Sequence, residues 1–130
     1  MSFISRIAGV EIPVSNLRTA VDWYERVIGV KVVGGFDESS TEAMLDFPNH
    51  PAGIYLVQTD SKDRLKFQNT NHGYTQSVID FYTDDLVGFH NHLKMLGVST
   101  NRETIELKPG EISGFGFFDP DGNSLGATNG

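Results

Sequence analysis

Val10-Glu11-Ile12-Pro13-Val14-Ser15-Asn16-Leu17 is the stretch that decides the fold, because its pattern returns 69 positions later as Ile79-Asp80-Phe81-Tyr82-Thr83-Asp84-Asp85-Leu86. Alternation puts Val10, Ile12 and Val14 on one face of a strand and Gly9, Glu11 and Pro13 on the other. Ser15 and Asn16 then offer side-chain oxygens to free backbone amides ahead of a helix. That helix is predicted from about Leu17 to Ile28, with Leu17, Ala20, Val21, Tyr24 and Val27 or Ile28 at helical spacing and Gly29 as its stop. In the second copy Ile79 and Phe81 alternate with Val78, Asp80 and Tyr82, Asp84-Asp85 caps a helix running to about Leu96, and Gly97 ends it. The same shift sets Asn16 on Asp85, Leu17 on Leu86, Ala20 on Phe89 and Tyr24 on Leu93, so strand, cap and helix face recur together.

Working outward, Lys31-Val32-Val33, Glu42 to Phe47 and Gly53 to Val57 read as strands, the last two separated by the turn-rich Pro48-Asn49-His50-Pro51. After the second helix come apolar stretches around Thr104 to Leu107 and Phe115 to Phe118. The turn Asp119-Pro120-Asp121-Gly122-Asn123 and a last strand near Ser124 to Thr128 follow. The polar, mixed-charge residues 59–76 have no sustained periodicity and read as a connector. The expected fold class is therefore α+β: one domain, 1–130, made of βαβββ modules at 4–58 and 77–128. Each module's helix covers one sheet face, and the opposite faces form a concave mixed-sheet cleft.

At 130 residues, with 38% hydrophobic residues and nine Phe, the chain has material for one packed interior. Seventeen acidic against ten basic residues give a net charge of −7. That sign repels phosphate backbones and anionic lipid, so nucleic acid and membranes are excluded as expected partners, and neutral or cationic small molecules are favoured. The absence of cysteine removes disulfides, thiolate metal sites and cysteine nucleophiles, and fits a cytoplasmic location. Met1 to Arg6 give no signal-peptide pattern, and no apolar run approaches the roughly eighteen residues of a membrane span.

These residues resemble the vicinal oxygen chelate superfamily, which includes glyoxalase I, extradiol dioxygenases and fosfomycin and bleomycin resistance proteins. The carriers are Val10 to Leu17, Ala20, Trp23-Tyr24 and Ile28-Gly29, then Phe81 to Leu86, Leu96-Gly97-Val98 and Phe118 to Asn123. The likeness covers nearly the whole chain and implies the paired-module fold, a small-molecule cleft and a homodimer. Metal-dependent members carry His, Gln or Glu at four cleft positions, on the first and last strands of each half. Here those positions fall on Gly9, Val78, near Tyr55 and on Gly126, none of which is a good metal donor. The resemblance therefore implies the fold without the usual metal mechanism, and no metal or other cofactor is expected.

Two residues beyond the vacant first-strand positions stand Glu11 and Asp80, equivalent under the 69-residue shift. With Tyr55 and Tyr82 they are the expected ligand-binding residues, because carboxylates beside aromatic rings suit a flat or cationic guest. Phe115 or Phe117 joins them, depending on the phase of its strand. Trp23 and Tyr24 are expected in the core. His50, His72, His90 and His92 are expected in surface or structural roles, since His90 and His92 point about 200° apart on a helix. The expected function is metal-independent binding of a small aromatic or cationic molecule. The alternative is a lyase, isomerase or dioxygenase of the same superfamily, with Glu11 and Asp80 holding a divalent ion.

Overall fold

The computed structural model describes residues 2–130, with 51 and 52 described by backbone alone. The chain divides into two units, Met1–Asp63 and Arg64–Gly130.

In the first unit, β1 (Gly9–Val14) follows the expected alternation, with Ile12 and Val14 buried and Glu11 exposed. Asn16 accepts a hydrogen bond from the Thr19 amide at 3.0 Å, opening α1 (Leu17–Trp23). The next free amide, at Leu17, donates to Gln58 Oε1 at 2.8 Å, so the helix start is tied to the end of a neighbouring strand. The expected helix is present over its full length, but its last part, Tyr24–Ile28, widens into a π-helical turn. Gly29 closes that turn with φ at 92° and a hydrogen bond donated by its N–H to Tyr24 O. Leu17, Ala20, Val21, Tyr24 and Val27 are buried, and Trp23 packs edge-on against Tyr24. After β2 (Lys31–Val33), β3 (Glu42–Phe47) and β4 (His50–Gln58), the sheet order is β1-β4-β3-β2, with β1 parallel to β4 and the other pairs antiparallel.

The second unit begins at Arg64. Residues 59–76, expected as a connector, include a hairpin of β5 (Phe67–Asn69) and β6 (Tyr74–Gln76). Its strands are short and polar, and Phe67 and Tyr74 are exposed, so it carries no apolar alternation to read. Gly73, at φ 76°, makes the turn, and Asn69 Nδ2 donates to Gln76 Oε1 across the pair. Then β7 (Ile79–Tyr82), α2 (Leu86–Met95), β8 (Gly114–Phe118) and β9 (Ser124–Thr128) form the repeat, ordered β7-β9-β8 with β7 parallel to β9. Asp85 caps α2 through the Gly88 amide, as Asn16 caps α1.

The stretch Thr104 to Leu107 forms no strand, although Ile105 is buried. At that edge of β8 there is a single bridge, Thr100 to Phe117. The groups a fourth strand would pair with are taken: Asn101 bonds both the N–H and the C=O of Gly116, and the Arg102 guanidinium donates to Gly114 O. His90, buried on α2, holds the same loop through Nε2, 2.7 Å from Arg102 O and 3.1 Å from Thr100 Oγ1.

The phase of β8 is settled by packing. Phe115 and Phe117 are buried and pack against Phe89 of α2, with ring centroids 6.1 and 5.8 Å apart. Their rings pack in the core, although both residues also border the groove of the second unit. Gly114, Gly116 and Phe118 fall on the opposite face.

Candidate functional site

Strand register organises the sheet face away from the helix in each unit. In the first unit Glu11 stands opposite Tyr55, Tyr55 opposite Met44, and Met44 opposite Val33. Every position in that row carries a side chain. Tyr55 Cε2 lies 3.2 Å from where a Cβ on Gly9 would stand, so the ring covers that bare position, whose register partner Gly53 is bare as well.

In the second unit Asp80 stands opposite Gly126, and Gly126 opposite Gly116, whose backbone Asn101 clasps. The row therefore has polar side chains at its ends and bare backbone between them. Gly126 is buried beneath Asp80, and beside it lies a groove of about 690 Å³, contained within the second unit and floored by Gly114 and Gly116. Its rim includes Tyr74, Gln76, Ser77, Ser99, Thr100 and Phe118. Among the described residues that line it, Asp80 alone is charged.

Two polar groups are fixed in place. Asp80 Oδ1 accepts from Ser77 Oγ at 3.1 Å, and the carboxylate leans over Gly126 so that a Cβ there would collide with it. Oδ2 has no partner among the described residues. At the other end Asn101 accepts from the Gly116 amide at 2.8 Å through Oδ1, which leaves Nδ2 as a donor without a partner among the described residues. The Asn101 amide stands beside the Gly116 floor, 3.6 Å from the position of an added Cβ.

Of the residues expected from sequence, Glu11 and Tyr55 are adjacent on the first unit's exposed face, while Asp80 and Tyr82 share one face of β7 in the second. Asp80 borders the groove; Tyr82 is 70% exposed and is not part of its lining. Trp23 and Tyr24 are in the core. Asn101, Ser77, Tyr74 and Phe118 were not expected at the site. The readable signal was Gly114-Phe115-Gly116-Phe117, in which glycine at every second position strips one strand face of side chains.

The register also tests whether the residues suit a metal ion. Tyr55 opposes Glu11 as Gly126 opposes Asp80, so these are equivalent last-strand positions. A Cβ on Gly9 would stand 2.8 Å from the Gly53 carbonyl oxygen, so that position rejects any donor side chain unless β4 moves. At Gly126 a side chain would displace Asp80. Val78 is apolar and exposed. Among the described residues no three His, Cys, Asp or Glu side chains gather within reach of one ion. These residues do not fit the family's metal centre.

Repeated strand–helix units with parallel first and last strands define a class of α+β proteins. The chain belongs to the Glyoxalase/Bleomycin resistance protein/Dioxygenase superfamily, whose family model matches residues 6–126. Among solved structures it is similar to TnmS3, an antibiotic binding protein from Streptomyces sp. CB03234, at 19% identity and TM-score 0.74, covering 99% of this chain and 98% of that one. It is also similar to FosX, a genomically encoded fosfomycin resistance protein from Listeria monocytogenes, at 18% identity and TM-score 0.69 over 98% and 93% of the chains. A third likeness is to an integron cassette protein from the mobile metagenome of V. cholerae, at 26% identity and TM-score 0.68 over 99% and 98%. A search of curated proteins finds no match. The structural likenesses are ones of fold. Among the described residues, no helix is long and apolar enough to cross a membrane.

Proposed function

We propose that this protein binds a small aromatic cation on the bare floor of the second unit, without a resident metal ion. The observation that carries this reading is the groove floored by Gly114 and Gly116 and bordered by Asp80 and Asn101, in which Asp80 is the one anionic side chain among the described lining residues. A flat guest can lie against exposed peptide there, and Tyr74 and Phe118 supply aromatic surface at the rim. Asp80 is the anchor for positive charge, with Tyr82 beyond it on the same strand face. Glu11 and Tyr55 form a second carboxylate–aromatic pair on the first unit and are proposed as a secondary contact. Closure of Gly9 and Gly126 to side chains supports binding over metal-assisted catalysis. We propose further that the protein is a cytoplasmic homodimer, a reading supported by the cysteine-free sequence and by β1 and β2 standing at the edges of their sheet.

Calorimetric titration with N-methylquinolinium, neutral quinoline and naphthalene sulfonate tests this. The expected order of affinity is cation, neutral, anion. Asp80→Asn is expected to weaken the cation about tenfold, the loss of one charge-assisted contact, and to leave quinoline unchanged. Tighter binding of the sulfonate, or cation affinity indifferent to Asp80→Asn, would defeat the reading. Protein purified without chelator is expected to hold transition metal well below one ion per chain by elemental analysis; a stoichiometric ion would favour the superfamily's metal-dependent chemistry instead.

A further inference from the structure

The groove has two poles, and they differ in kind. Asp80 offers an anionic acceptor, Oδ2, over Gly126, while Asn101 offers a neutral donor, Nδ2, beside Gly116. Gly126 and Gly116 are register partners on adjacent strands. Asp80 and Asn101 thus stand at the two ends of a row across three strands, Asp80 on β7 and Asn101 beyond the edge of β8.

Asn101 is not a loose surface amide. Its backbone N–H donates to Gly116 O at 3.0 Å and its Oδ1 accepts from Gly116 N at 2.8 Å, so both ends of the residue are fixed to β8. Because a backbone N–H can donate only to the oxygen of the amide, the orientation is determined and Nδ2 is the end left over. The loop carrying it is braced in turn by His90 through Thr100 and Arg102, and by the Arg102 guanidinium on Ser113 Oγ at 2.8 Å. A donor held this rigidly binds an acceptor at low entropic cost.

We infer that Asn101 is a specificity-determining residue, and that the groove selects a planar bipolar heterocycle: a cationic nitrogen edge for Asp80 and, across the ring, a carbonyl oxygen for Asn101 Nδ2. This rests on the reading above that an aromatic cation occupies the groove, and extends it to the ligand's second edge. A cation without the carbonyl leaves Nδ2 unanswered. A neutral carbonyl compound leaves the carboxylate unanswered.

The test pairs 1-methylquinolinium with its 6-carboxamide on wild type and on Asn101→Asp. That substitution keeps Oδ1, and with it the bond from the Gly116 amide, but removes the donor. Wild type is expected to prefer the carboxamide about fivefold, the value of one neutral hydrogen bond. Asn101→Asp is expected to abolish or reverse the preference while binding the parent cation as well as wild type or better. Circular dichroism and melting temperature check that the variant is folded. Asn101→Ser, which also lacks the amide donor, provides a second variant and is expected to lose the preference too. Equal wild-type affinity for both compounds, or a preference that survives both variants, overturns the role of Asn101 and leaves the aromatic-cation reading standing. Failure of either compound to bind wild type overturns both.

Discussion

The two units carry the same strand–helix grammar and use the far side of the sheet in opposite ways. In the first, Glu11, Tyr55, Met44 and Val33 fill the row across the strands. In the second, the equivalent row is Asp80, Gly126, Gly116 and Asn101. The carboxylate on the first strand is common to both, and what differs is the middle: tyrosine and methionine in one, glycine twice in the other. On the function proposed above, the binding surface is made by leaving side chains out. Glycine in a strand interior costs stability, about 0.5–1 kcal/mol relative to alanine, so bare positions in the centre of a sheet call for a reason.

Filling the floor should have the largest effect. Gly116→Met copies Met44 of the first unit into the second, and its side chain would rise into the groove. Titration with N-methylquinolinium is expected to show no measurable binding to this variant, with its circular dichroism unchanged. The reciprocal change, Met44→Ala, is expected to leave binding as in wild type and to lower the melting temperature modestly, since Met44 is only partly buried.

Two glycines, Gly9 of the first unit and Gly116 of the second, differ next. At Gly9 an added Cβ meets the Gly53 carbonyl at 2.8 Å, whereas at Gly116 the nearest neighbour is Asn101 Nδ2 at 3.6 Å, an ordinary contact. Gly9→Ala is therefore expected to destabilise by about 1–3 kcal/mol, as overpacking does. Gly116→Ala is expected to be neutral or to stabilise by up to about 1 kcal/mol. Urea denaturation measures both; equal losses would mean that Gly116 is as crowded as Gly9.

The smallest expected effect lies in the loop between β2 and β3, where Asp37 has no counterpart in the second unit's groove. Hydrogen bonds from the side chain and backbone of Ser39 lower its pKa below the usual 3.8. With the folded value depressed, the carboxylate contributes stability above pH 3.8 that is lost as pH falls through the lower folded value. Asp37→Asn should therefore differ from wild type slightly in melting temperature near neutrality, with the gap closing in acid. A gap that widens in acid would contradict the sign.

Local signals made most of the fold legible. β1 and β7 announce themselves by alternation, the helices by Asn16 and Asp85 ahead of them and by Gly29 and Gly97 behind, because capping and chain reversal are decided within a few residues. The β5–β6 hairpin was hidden because polar side chains, Asn69 to Gln76 among them, hold it together where a sequence pattern looks for apolar ones. Thr104 to Leu107 looked like a strand because Ile105 is buried, yet a strand needs a free edge, and Asn101 and Arg102 already occupy the one on β8.

The site was legible in one pole only. Asp80 could be found from its equivalence to Glu11 under the repeat. Asn101 could not, because its role depends on Gly116, 15 residues away, and on which face of β8 is bare. That phase was concealed by Phe118, which follows Phe117 and breaks the glycine–phenylalanine alternation.

The most direct measurement is a titration of protein labelled with nitrogen-15 at glycine, following backbone amide resonances as N-methylquinolinium is added. The amides of Gly114 and Gly116, which line the groove, are predicted to shift progressively and to saturate, while those of Gly9 and Gly53 stay in place. Shifts at Gly9 and Gly53 with Gly114 and Gly116 unmoved would put the ligand on the first unit's sheet and contradict the account.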